Sequence, residues 1–146
     1  MRVPPQPADE MLAASDWSPV TRHAAARYLA LQGVAGGAWW LMLLAWPHSR
    51  RWFFPDALSD AGIRALAVAD ISLFVVGSFV AAFLLHRRPD WGLVATAIVA
   101  GATAYATLYC WGASVTTGEA WLATALMSAA TAMTGVCVWS PGPVLI

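Results

Sequence analysis

Hydrophobic residues fall into four long runs, at 28–46, 65–85, 91–111 and 120–139, separated by short polar or aromatic punctuation. About 20 apolar residues in a helix cross the hydrocarbon core of a bilayer, so each run predicts one transmembrane helix. Interface markers close them: Trp46 with Pro47, the string His86-Arg87-Arg88-Pro89 followed by Trp91, then Trp121, and Trp139 shortly before Pro141. Tryptophan and arginine at such positions fit the headgroup boundary. Ser18-Pro19 is a helix-start signal, because serine caps free amides and proline suits the first helical position. The pattern predicts an all-α integral membrane four-helix bundle of antiparallel up-down topology over residues 19–140. Residues 1–18 are polar and proline-rich, lack the apolar core of a secretory signal, and read as a mobile tail. Residues 141–146 form a short C-terminal tail.

Composition supports this. The chain is 60% hydrophobic and only 11% charged, far below the roughly 25% charge of soluble domains. Its positive charges are all arginine and balance the acidic residues, which leaves no basic patch for nucleic acid. With four spans both termini share a side, and that side holds Arg2, Arg22, Arg27, Arg87 and Arg88 against Arg50, Arg51 and Arg64 opposite. The bias favours cytoplasmic termini in a plasma (inner) membrane. The loop after the first run mixes Trp52, Phe53 and Phe54 with two arginines, as expected of an interfacial anchor.

Helices in lipid associate through small residues and occasional polar contacts. Gly33 and Gly37 form a GxxxG pair with Gly36 beside it, the third span is rich in Ala, Gly and Thr, and the fourth sets Thr124, Ser128, Thr131 and Gly135 near one face. Spans three and four are thus expected to be the tightly packed interior pair. The same small residues also suit a cavity lining or a homodimer seam.

Asp70 is the one carboxylate well inside a span, where a charge costs roughly 2.5–3.5 kcal/mol. At ~1.5 Å per residue it sits ~9 Å below the outer boundary. Trp39 and Trp40 of the first span, Tyr105 of the third, and Thr124 and Ser128 of the fourth share that depth, and Tyr109 shares a helix face with Tyr105. These residues define a candidate ligand or proton site in the outer leaflet, with a structural staple as the alternative. Phe74, Gly77 and Ala81 continue the Asp70 face as a possible pocket floor, while Leu73 and Phe79 are expected to face elsewhere. A second, neutral polar layer of Gln32, Ser78, Thr96 and Thr134 lies near the inner boundary.

Several chemistries lack their residues. Cys110 and Cys137 are separated in depth by ~25 Å, too far for a disulfide, which removes thiol–disulfide exchange, and two lone thiols make a poor metal site. His23, His48 and His86 lie at boundaries and supply no axial pair for an intramembrane haem. No metal or cofactor is expected. Arg22, His23, His86, Arg87 and Arg88 form a candidate contact for lipid headgroups. No phosphate loop, zinc-protease helix or nucleophile elbow is present. A catalytic reading is left with Asp70 as a lone base and Tyr105 or Tyr109 as acid, with no substrate fixed.

The strings LQGVAGGAWWLMLLAWPHSRRWFFP, DISLFVVGS and GATAYATLYCWG, within residues 28–127, resemble stretches of small bacterial membrane proteins, some similar to segments that precede isoprenylcysteine carboxyl methyltransferase-like domains. The resemblance implies a standalone membrane module and carries over no catalytic residue. Three readings follow: a non-enzymatic accessory subunit of a membrane complex, a small proton-coupled transporter or apolar-ligand binder around Asp70, and a membrane-embedded enzyme. The expected partners are membrane lipid and either a membrane protein or a second copy, since four helices enclose little volume.

Overall fold

The computed structural model describes residues 18–139; the tails expected at 1–18 and 141–146 lie outside these residues, Ser18 excepted. Four helices are each long and apolar enough to cross a bilayer: α1 (Pro19–Ala45), α2 (Asp60–Arg87), α3 (Pro89–Thr117) and α4 (Trp121–Trp139). The chain is an all-α multi-pass membrane bundle. A 3-10 helix, Pro47–Trp52, begins the connection from α1 to α2. Both connections on that side define what is called here the distal end; the α2–α3 turn and the outer ends of α1 and α4 define the proximal end.

Local chemistry sets the boundaries. Ser18 caps α1 by accepting from the Thr21 amide at 3.2 Å, with Pro19 in the first turn. Ser59 caps α2 by accepting from Gly62 at 3.2 Å, and Asp60 places negative charge on the amide-rich end. Pro89 opens α3, and Gly118, with φ of 77°, ends it by donating to the Ser114 carbonyl at 2.8 Å.

Sequence neighbours are spatial neighbours: α1 packs on α2, α2 on α3, and α3 on α4, whereas α1 and α4 barely meet. Two core clusters result. The proximal one contains Ala25, Ala26, Leu29, Ala81, Ala82, Leu85 and Val99. The distal one contains Trp40, Leu43, Phe53, Ile63, Ala67, Val75 and Ala123.

Glycines permit the closest approaches. A Cβ on Gly92 would lie 2.5 Å from the Leu85 backbone nitrogen, so α2 and α3 touch backbone to backbone beside their turn. On α1 the tight positions are Gly33 and Gly36 rather than Gly33 and Gly37. Their absent side chains admit the Phe79 and Phe74 rings of α2, at 3.0 and 2.7 Å from the would-be Cβ atoms, whereas Gly37 has ordinary clearance.

The α3–α4 pair is extensively packed but is not the interior of the bundle. Its contact is a zip of hydroxyls: Thr107 to Thr131 at 2.6 Å, Ser114 to Thr124 at 2.8 Å, and Trp111 Nε1 donating to Ser128 at 3.1 Å. Helix α4 buries only Ala123, Thr124 and Thr134, while α1 buries Leu29, Gln32, Trp40 and Leu43 among others. The reason is topological: α4 ends the row and has a single close neighbour, so most of its surface meets lipid.

Candidate ligand-binding cavity at the distal end

Because α1 and α4 diverge distally, space remains between them. A cavity of about 220 Å³ occupies it, with walls from all four helices and the α1–α2 connection. Helix α2 contributes the stripe Leu66, Ala69, Asp70, Leu73 and Phe74, spaced as one helical face. Helix α3 contributes Ala102, Tyr105, Ala106, Tyr109, Cys110 and Ala113. Helix α4 adds the small residues Ala120 and Ala123 with Met127, and α1 adds Trp39. Ala120 holds a left-handed φ of 60°, the one non-glycine residue to do so among those described. Tyr105 is 75% exposed and Leu73 53% exposed while both line the space. The cavity therefore opens sideways between α2 and α3, toward lipid.

The α1–α2 connection is more than an interfacial anchor. Phe53 is buried and Phe54 half-buried, with Phe53 edge-on to Trp39 at 5.6 Å and Phe54 6.1 Å from Trp40. Arg50 holds the segment in place, donating from Nε to the Leu43 carbonyl at 2.9 Å and pairing with Asp60 at 3.0 Å. The Glu119 carboxylate accepts from the Asp56 amide at 2.9 Å and straps this connection to the α3–α4 connection. Trp46 and Trp52 remain outside, ring against ring at 5.7 Å, in the interfacial role. Phe53 and Phe54 thus roof the cavity. An aromatic pair beside arginines has the same composition in an anchor as in a roof, and the sequence carries no signal that separates them.

Asp70 stands in the cavity wall immediately before a π-helical turn, Ile71–Val76, inside α2. The turn winds in one extra residue, and such turns recur at functional sites. It has two consequences. Regular 3.6-residue spacing puts Gly77 and Ala81 under Asp70, but the extra residue turns them away: Gly77 faces Val99 of α3, and Ala81 joins the proximal core. The pocket floor assigned to them is instead supplied by Phe74 with Leu73, which the sequence expectation had facing elsewhere. Second, the disturbed backbone needs a local partner, and Ser78 Oγ donates to the Phe74 carbonyl.

Of the residues grouped by depth, Asp70, Trp39, Tyr105 and Tyr109 meet around the cavity. Trp40 lies behind the wall, buried, with its indole turned toward Asp70. The indole nitrogens of Trp39 and Trp40 are both buried without a hydrogen-bond partner. Thr124 and Ser128 share the depth but point to Ser114 and Trp111 of α3 and do not line the cavity. Asp70 takes part in no ion pair among the described residues, where the sole pair is Arg50–Asp60.

Proximally, Gln32 donates to Ser78 at 3.1 Å and accepts from Thr134 at 2.9 Å, with the Tyr28 hydroxyl on the same Gln32 oxygen. This joins α1, α2 and α4. Thr96 stays out, bonded to the Gly92 carbonyl of its own helix at 2.7 Å. At the adjacent boundary His23 and His86 stand edge to face at 5.2 Å, Arg87 lies 5.6 Å over the Phe83 ring, Arg22 Nε is buried without a partner, and Arg88 is exposed. Cys110 and Cys137 are free thiols on different clusters. No group of His, Cys, Asp or Glu able to hold a metal occurs among the described residues.

Compared with protein-family models, curated proteins and solved structures, the chain matches none.

Proposed function

We propose that this protein binds a small, mostly apolar molecule within the membrane, in the distal cavity walled by Asp70. The observation that carries the reading is an enclosed, aromatic-lined space with a lone carboxyl in its wall and a lateral opening to lipid. Apolar clefts holding a few convergent polar groups are the usual form of small-molecule sites. Access through the α2–α3 opening favours a ligand that partitions into the bilayer. Binding of this kind is the step shared by transport and sensing. The stapled proximal half fits a rigid frame around one adjustable site.

A second reading, an accessory subunit or homodimer, draws on the outer faces of α3 and α4. Gly101, Gly112 and Gly135 present open space where a Cβ would touch nothing within 4 Å, and such positions admit a neighbouring helix.

One experiment addresses both. Wild type and Ala106→Trp, whose indole fills the cavity, are purified in native lipid particles and everything that accompanies them is identified by mass spectrometry. A small molecule retained by wild type and lost from the folded variant is the expected result. The same molecule retained by Ala106→Trp, or none with wild type, overturns the cavity reading. A protein partner kept by both and lost from Gly112→Leu supports the accessory reading.

A further inference from the structure

We propose that the occupant of the distal cavity is a lipophilic organic cation, an apolar body carrying one quaternary or protonated amine held between the Asp70 carboxylate and aromatic ring faces, an inference that rests on the cavity reading above. The carboxyl is the starting point. It is the one acidic group lining the space, and no ion pair among the described residues satisfies it. Arg64, six residues earlier on the same helix, is turned ~120° away from it and is exposed. A charge in such surroundings is costly unless a counter-charge arrives. Nothing on the cavity wall supplies one, so a cationic ligand does.

The walls suit the same occupant. Trp39, Phe53, Phe54, Phe74, Tyr105 and Tyr109 surround the carboxyl with ring surface, and no basic side chain lines the space. Ring faces attract a cation within about 6 Å, and aromatic cages are a general solution for quaternary ammonium groups, which no hydrogen bond can hold. The remaining donor has a place as well. Trp40 turns its indole toward Asp70 from the core side, so lone pairs on that side of the carboxylate have a partner while those facing the cavity stay open to the ligand.

A single carboxylate also binds a proton, so proton and cation compete for it. When an ammonium ion enters a protonated site, one proton leaves Asp70 and charge is conserved. Titratable groups facing Asp70 are Tyr105, Tyr109 and Cys110, all on α3. From α1 it is faced by Trp39 and Trp40, from the roof by Phe53 and Phe54, and from α4 by Ala123 and Met127, none of which titrates. Lowering the pH through the titration of Asp70 therefore weakens cation binding.

The test uses radiolabelled benzyltrimethylammonium and its uncharged isostere neopentylbenzene, equilibrated with the full chain in phosphatidylcholine nanodiscs, with empty nanodiscs subtracted. Wild type is expected to bind the cation at least about tenfold more tightly than the isostere, as a desolvated cation–aromatic contact combined with a carboxylate implies. Asp70→Asn should lose at least about tenfold in cation affinity while keeping its affinity for the isostere. Tyr109→Phe, which keeps the ring, should stay within about twofold, and Tyr109→Leu should fall below that. Equal affinity of wild type for cation and isostere, or cation binding unchanged in folded Asp70→Asn, overturns the cation assignment and leaves the cavity standing. Binding of neither probe, or binding that Ala106→Trp leaves intact, removes cavity and assignment together. Should Asp70→Asn not fold, the wild-type comparison of the two probes decides alone.

Discussion

The two halves of this bundle use similar residues to opposite ends. Proximally, Gln32, Ser78, Thr134 and Tyr28 satisfy one another across three helices, and Gly92 lets α2 and α3 touch at the backbone. Distally, Asp70 and the indole nitrogens of Trp39 and Trp40 surround an open space without pairing among themselves. Lipid offers no competing hydrogen bonds, so unpaired polar groups there are costly and must be held by the rest of the fold. The difference teaches that polarity alone does not mark a site within a membrane. What separates staple from site is whether the polar groups consume each other's capacity.

Substitutions can break or sharpen that contrast. The largest effect is expected proximally: Gly92→Ala sets a methyl 2.5 Å from the Leu85 backbone nitrogen, where no rotamer can yield. It should cost about 3 kcal/mol, read as a lowered thermal midpoint in detergent, while Gly101→Ala, with open space around it, should be neutral or slightly stabilising. Next, Gln32→Leu removes the hydrogen bonds to Ser78 and Thr134 and should cost about 1–2 kcal/mol in the same assay. A loss as small as that of an ordinary lipid-facing substitution would show that the proximal network is not a staple.

Gly36→Ala crosses between the halves. Its methyl would lie 2.7 Å from the Phe74 ring, a side chain able to move, and the direction open to it is the cavity. The expected cost is about 1 kcal/mol, with a clear loss of whatever small molecule accompanies wild type in native lipid particles. Smallest in stability is Asp70→Asn. With no ion pair to break, removing the charge should change the midpoint by no more than about 0.5 kcal/mol, in either direction. A strongly lowered midpoint would instead mean that the carboxylate is paired and structural, and the contrast between the halves would fail.

Helix positions, the Ser18-Pro19 start and the antiparallel order were legible because apolar length and capping chemistry are local. Both polar layers were legible too, since helical rise converts residue number into depth: Asp70, Trp39, Tyr105 and Tyr109 do meet, as do Gln32, Ser78 and Thr134. Depth does not give azimuth. Thr124 and Ser128 share Asp70's level yet turn to α3, because α4 ends the row and has little other protein to face. The pocket floor depended on the phase of α2, which the π turn shifts, and no proline or glycine inside 71–76 announces it. Phe53 and Phe54 became a roof through tertiary contacts with Trp39 and Trp40 that composition does not encode.

The π turn leaves α2 with slack. An inserted residue can be passed along a helix one hydrogen bond at a time, and each step rotates what lies on one side of it by about a hundred degrees relative to the other. Ser78, gripped by Gln32, fixes the proximal side as the stator. The segment carrying Leu66 and Asp70 is then the rotor: α2 can re-index the faces it shows to lipid and to cavity without unfastening the half of the bundle that keeps it assembled.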